Sequence, residues 1–326
     1  YIVDKATEYE IRISGKVTRL SCNPVPVNHR STITSVKQWG NTGLKDMSGA
    51  FMCFNALESI PADETAAFEE VSSFHCAFSS CKLETLPKGL FKYCRNATSF
   101  CCTFSSCSSL ISLPDDLFSA CENATDFTGC FRKCSSLVRI PGNLFYFCKQ
   151  AVDFSDCFSE CTSLASIPED LFAGCLEMRC ASNLFEHCAN LETIPARLFS
   201  NNQKITHFDQ TFFDCDKLNR VPEGLFDNCP NVYYFINTFF SCNNLRTIPI
   251  ALFDNNRKVV KFDGTFSYCS ELHGESPYTT IDGVKYHLYE RADNPDEFVA
   301  PFSFNACFQG THFSDKDQMP ESWKQW

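Results

Sequence analysis

Twenty-two cysteines and seven histidines are the residues of this 326-residue chain that could do chemistry. Cysteines cross-link chains, hold soft metals, or attack as thiolates when a base activates them. A metal site would require a short CxxC pair with histidine partners. Neither the vicinal Cys101-Cys102 nor the CFxxC units at 130–134 and 157–161 supply one, so no metal is expected. A thiol hydrolase would require one exceptional cysteine beside a histidine. Only His75-Cys76 and His187-Cys188 are adjacent pairs, and each lies in a slot that varies along the chain. No catalytic residue and no cofactor is assigned.

Most of the cysteines belong instead to a period. The prolines of the IP, LP or VP pairs fall at Pro61, Pro87, Pro114, Pro141, Pro168, Pro195, Pro222 and Pro249, one step of 26 and six of 27. A phenylalanine column runs from Phe51 through Phe78, Phe104 and Phe131 to Phe266, and nine coils are visible. One cysteine column (Cys81, Cys107, Cys134, Cys161, Cys188, Cys215, Cys242, Cys269) follows it by three residues. A second (Cys94, Cys121, Cys148, Cys175, Cys229) follows each LF pair, with Asn202 and Asn256 taking the cysteine's place. Disulfide partners do not exchange singly for asparagine, and parallel in-register side chains point poorly for bridging. The expectation is a ladder of buried free thiols acting as small hydrophobes.

These columns need a solenoid to position them. A 27-residue unit lies within the 20–29 range of leucine-rich repeats. Each half-unit reads as a short extended piece and then a helical or 3₁₀ turn, with proline ending the strand. Stacked at ~4.8 Å per coil, nine coils predict a right-handed α/β solenoid about 40 Å long. Its divisions are a strand-rich cap at 1–40, the solenoid at 41–272, and a cap at 273–326 with a hairpin and one degraded repeat. In the first cap YEIRISG (9–15) and VTRLS (17–21) read as an edge pair that blunts the stack. In the last, Asp282-Gly283 between two strand-like runs signals a tight hairpin. Ala181 stands where a phenylalanine is due, which predicts a dent or a change of curvature.

The entry LKDMSGAFMCFNALESIP (44–61) follows ITSVKQWG (33–40), and coils of the type CSSLISLPDDLFSAC come after it. Together with the tail GESPYTTIDGVKYHLYERADNP (274–295) and ACFQGTHFSDKDQMPESW (306–323), they resemble BspA-like leucine-rich-repeat surface proteins of Bacteroides-type bacteria. The resemblance implies a secreted or lipid-anchored protein of the outer cell surface that adheres to a protein or glycan. It departs from the group at Phe54 and Thr311, where the pattern calls for cysteine.

A net charge of −11 makes nucleic acid and anionic membranes poor partners. No run of eighteen apolar residues is present, so no transmembrane segment is expected. The opening YIVDKATEYE reads as a mature or trimmed form, so that any signal or lipid anchor would have been removed before it. A monomer is favoured. If one strand face binds a partner, it does so through the variable slots, and Asp126, Asp153, His207, Tyr233, Tyr234 and Lys261 are the candidates. Tyr233 and Tyr234 with His207 are foremost, since tyrosine joins apolar area to a polar tip. Three readings stand: a non-enzymatic surface protein that binds a protein or glycan, a spacer solenoid without a ligand, and, remotely, a thiol hydrolase. The NAT triplets at 96 and 123 fit glycosylation acceptors or, sharing one repeat slot, joint residues.

Overall fold

The structure, a computed structural model, describes residues 12–13, 15–22 and 30–325. Two series of parallel bridges run along the stack, one for each half of the 27-residue unit. The first passes from Arg19 to Asp46, Ser73, Ser99, Asp126, Asp153, Cys180, His207, Tyr234, Lys261 and Ser303. The second joins Ser35 to Ser59, Thr85 to Ser112 and Arg139, Ser166 to Thr193, and Arg220 to Thr247. Strand β1 (His273–Gly274) and strand β4 (His312–Phe313) are also parallel partners. Each coil contributes about one residue to each ladder, because the chain must turn again within a few residues.

Those turns are hydrogen-bonded turns, and regular 3₁₀ helix within the repeats is absent among the described residues. The reason is two columns of left-handed backbone. One contains Gly49, Asp156, Asn183, Asn237 and Gly264, the other Ser80, Lys133, Glu160, His187 and Asp214, all at φ between 53° and 66°. A residue at positive φ interrupts a helix, so these two columns, four residues apart, restrict the half-coil that carries the first ladder to a turn.

Between the ladders lies a stack of aromatic rings. Phe51, Phe78, Phe104, Phe131, Phe158, Phe185, Phe212, Phe239, Phe266 and Phe308 are stacked face to face, with centroids 5.5–6.1 Å apart. A second column (Phe74, Phe100, Phe127, Phe154) breaks at Ala181 and resumes at Phe208. The same coil carries Met178 and Leu184 where its neighbour carries Ala151 and Cys157, and all three substituted positions are fully buried. Volume lost at one slot is thus returned at two others, the kind of exchange that cores tolerate best.

All twenty-two cysteines are free. Their thiols do more than fill space. Cys81 Sγ donates to the carbonyl of Phe51, Cys107 to Phe78, Cys134 to Phe104, and the series continues to Cys269 on Phe239, at 2.9–3.3 Å. In the second column Cys175 donates to Phe145 O at 3.5 Å. Asn202 performs the same task with two bonds, to Phe172 O and Cys175 O, at 3.1 and 2.8 Å, and Asn256 repeats them on Phe226 and Cys229. The slot requires a donor aimed one coil back, which explains why cysteine and asparagine interchange there. The NAT asparagines also serve the stack: Asn96 and Asn123 donate to Glu69 O and Arg95 O of the preceding coil.

Both ends are closed by tryptophan. Trp39 lies against Phe51, Phe68 and Phe78 and donates to Pro61 O. Residues 17–22 add a strand to the first coil through Val17, Leu20 and Cys22. The predicted strand at 9–15 falls largely outside the described residues. At the other end an antiparallel hairpin, β2 (Tyr278–Ile281) and β3 (Val284–His287), turns at Asp282 and Gly283, both at positive φ. A 3₁₀ helix, η1 (Leu288–Asp293), carries Arg291 into the core, where its guanidinium donates to Phe253 O and Asn256 O. These carbonyls correspond to the pair that Asn256 engages one coil earlier, so Arg291 stands in for the next coil's asparagine. The repeat resumes at 303, and α1 (Glu321–Lys324) brings Trp323 over Phe304 and Phe308.

Candidate functional site

The first ladder changes character along its length. In its early coils the strand residue caps its own turn: Asp46, Asp126 and Asp153 accept the backbone N–H two residues on, at 2.8–3.0 Å, as Ser73 and Ser99 do at 3.2–3.3 Å. The structure therefore places Asp126 and Asp153, two of the six predicted residues, half-buried and occupied by local bonds, with Ser99 also donating to Asp126. Such Asx-type turns explain the residue choice without a ligand.

From His207 onward the slots no longer serve the turn, and the other four predicted residues come together. The rings of His207 and Tyr234 meet edge to face at 4.8 Å, with His207 Nδ1 held 2.7 Å from Thr206 Oγ1. Tyr233 is adjacent, 6.3 Å from Tyr234 and 41% exposed. Lys261 Nζ stands 5.1 Å from the centre of Tyr234 and 5.8 Å from that of Phe302, which is 68% exposed. Four successive coils thus present a stripe of His207, Tyr234, Lys261 and Phe302. Among the described residues neither tyrosine hydroxyl nor the Lys261 ammonium has a hydrogen-bond or ion-pair partner. Asp209 lies beneath the stripe, its carboxylate accepting from Ile236 N–H, and burial raises its pKa against the pull of His207 and Lys261.

Sequence reading missed Phe302, which lies beyond the looped-out hairpin. It also missed a second aromatic row, in which His187, Phe213, Phe240 and Tyr268 follow one another at 4.8–5.3 Å, partly exposed. The doubled FF at 212–213 and 239–240 was its signal. A third feature is a shallow groove of about 620 Å³ on the second ladder, where Lys217, Arg220 and Arg246 gather near Glu192.

The adjacent His187 and Cys188 do not act on one another. His187 Nδ1 lies 2.8 Å from Asp214, while Cys188 is buried and donates to Phe158 O. Burial pushes Cys188 and Cys107 up to about 12, the opposite of what a nucleophile needs. Among the described residues no cluster of three or more His, Cys, Asp or Glu side chains could hold a metal, and no helix is long and apolar enough to cross a membrane.

No protein-family model matches this chain, and no curated protein matches it. Similar solved structures include a leucine-rich cell surface protein from Faecalibacterium prausnitzii, 20% identical over 78% of this chain and 75% of that one, with a TM-score of 0.33. A leucine-rich repeat protein from Bacteroides ovatus is 17% identical over 91% of this chain and 83% of its own, with a TM-score of 0.26. A chain of the Drosophila Toll–Spatzle complex is 17% identical over 73% of this chain, with a TM-score of 0.42, and this chain covers 30% of its length. The two parallel ladders and the 27-residue period make the molecule a leucine-rich-repeat-like solenoid.

Proposed function

We propose that this solenoid is a non-enzymatic, BspA-like binding protein of the outer cell surface that holds a protein or glycan partner on its first strand ladder. The observation that carries the reading is the stripe of His207, Tyr234, Lys261 and Phe302, flanked by Tyr233, in which aromatic faces, tyrosine hydroxyls and an ammonium without hydrogen-bond or ion-pair partners among the described residues span four coils. Aromatic faces supply contact area at low entropic cost, and the polar tips supply direction. A spacer would have no use for the change from turn-capping Asp and Ser to open aromatics. The division into caps at 1–40 and 273–326 around repeats at 41–272, a secreted or lipid-anchored location and a monomeric state belong to the same proposal.

The test is a glycan array and a panel of immobilised mucosal glycoproteins, read with the whole chain and with Tyr234→Ala and Lys261→Ala. Removing one central aromatic should weaken capture roughly tenfold or more, with unchanged thermal unfolding. Capture that is unaffected by either change would refute the stripe as the binding face. Absence of any captured ligand would favour the spacer.

A further inference from the structure

Five thiols reach solvent, and four of them, Cys53, Cys76, Cys101 and Cys102, lie in three consecutive coils. None belongs to the buried columns whose donors bind the preceding coil. Cys76 and Cys102 occupy the left-handed column otherwise filled by Gly49, Gly129, Asp156, Asn183, Gln210, Asn237, Gly264 and Ala306. Gly, Asn and Asp are the residues that this backbone favours, and cysteine has no conformational reason to be there twice in succession.

The placement brings them together. The Ser73–Ser99 bridge keeps the two coils in register, and Cys76 N–H donates to Cys101 O at 2.9 Å. In-register Cα atoms lie ~4.8 Å apart, inside the span that a disulfide bridges, and closure requires that the two parallel side chains turn toward one another. Cys101 Sγ is 3.8 Å from Cys102 Sγ, and Cys76 holds the same left-handed slot as Cys102 one coil earlier. Gly129 makes room in the next coil: a Cβ there would lie 3.1 Å from the Cys102 sulfur. His75 Nε2 is 3.5 Å from Cys76 Sγ, and Arg132 lies close enough to act on Cys102 by its charge.

We propose that Cys102 is a nucleophilic thiol that exchanges with external disulfides, and that Cys76 is its resolving partner. In the first step the Cys102 thiolate attacks one sulfur of a disulfide RSSR, forming Cys102–S–S–R and releasing RS⁻. In the second, Cys76 loses its proton to RS⁻, and its sulfur attacks Cys102 Sγ. The Cys76–Cys102 disulfide forms and a second RS⁻ leaves, taking a proton from solvent. The protein pair is oxidised by two electrons and RSSR is reduced by two. Hydrogen bonds from Cys101 and Cys76, with His75 and Arg132 nearby, hold the Cys102 thiol well below its ordinary pKa, whereas Cys76 and Cys101 are raised. That division suits an attacking and a resolving thiol.

The test uses the reduced whole chain. A brief pulse of limiting monobromobimane at pH 6, followed by acid quench and peptide mass mapping, should mark Cys102 at least about tenfold faster than Cys180, the solvent-reaching thiol outside the cluster. Oxidised glutathione should then yield a Cys76–Cys102 linked peptide with two equivalents of glutathione released. Cys76→Ser should stop the reaction at the Cys102 mixed disulfide. Equal labelling of Cys102 and Cys180 would overturn the nucleophile, and a Cys101–Cys102 link, or no link, would overturn the resolving role. The wild-type mapping decides both points even if a serine variant fails to fold, and neither outcome depends on the aromatic stripe.

Discussion

Asn202 offers the sharpest test of what holds adjacent coils together. Its amide gives two hydrogen bonds, to Phe172 O and Cys175 O. Each of these carbonyls also accepts a backbone N–H, from Cys175 and Met178 respectively, so removing the amide orphans neither. Asn202→Ala therefore loses about 1 kcal/mol per bond, and the space left by the amide adds about 1 kcal/mol of cavity cost. Against this, Asn202 Oδ1 is buried without a partner, and its removal returns about 1 kcal/mol. The net expectation is a loss of about 2 kcal/mol. Asn202→Cys keeps most of the volume and one weak S–H donor while removing the orphaned oxygen, so it should fall within about 1 kcal/mol of wild type. Urea unfolding gives the order, and hydrogen exchange at the Met178 and Ile205 amides shows whether the loss is local to this pair of coils. An alanine variant as stable as wild type, or more stable than the cysteine variant, would refute the donor-ladder account.

The same logic extends to the cap and to the stripe. Arg291→Ala removes both charge-assisted donors from Phe253 O and Asn256 O, together with a guanidinium packed 4.7 Å from the Phe298 ring, and should cost about 2–4 kcal/mol. Loss of hydrogen-exchange protection confined to the last coils would locate it, and a loss spread evenly along the chain would count against the coil-mimic reading. Asp209 tests the electrostatics. Burial raises its folded pKa, so the folded state holds the proton to higher pH than the unfolded chain, and ionising the group as pH rises removes stability. Asp209→Asn keeps an acceptor for Ile236 N–H and should be more stable than wild type at pH 7. The gain should shrink as pH falls through the carboxylate range. A variant less stable at pH 7 would mean that the charge beneath His207 and Lys261 matters more than its burial.

The repeat was legible because a solenoid translates sequence period directly into space: residues 27 apart become neighbours, so columns of Phe, Cys and Asn can be read off the chain as packed stacks. What each column does was less legible, since the cysteine's acceptor is a carbonyl about 30 residues back and no pattern of side chains reports a carbonyl's direction. Arg291 was invisible for a different reason. It lies in a segment inserted between the last two coils, and only the path of hairpin and 3₁₀ helix brings its guanidinium to the slot that Asn256 fills one coil earlier. Phe302 escaped likewise, because the insertion hides that Ser303 succeeds Lys261 on the ladder and so brings its neighbour Phe302 beside the Lys261 ammonium. The left-handed column shows the reverse. Its Gly, Asp and Asn residues were present in the sequence as apparently free variation, yet the backbone limits the slot to residues that tolerate positive φ. Only once that limit is known do Cys76 and Cys102 stand out, since with Gln210 and Ala306 they are the residues of the column that its backbone geometry does not explain.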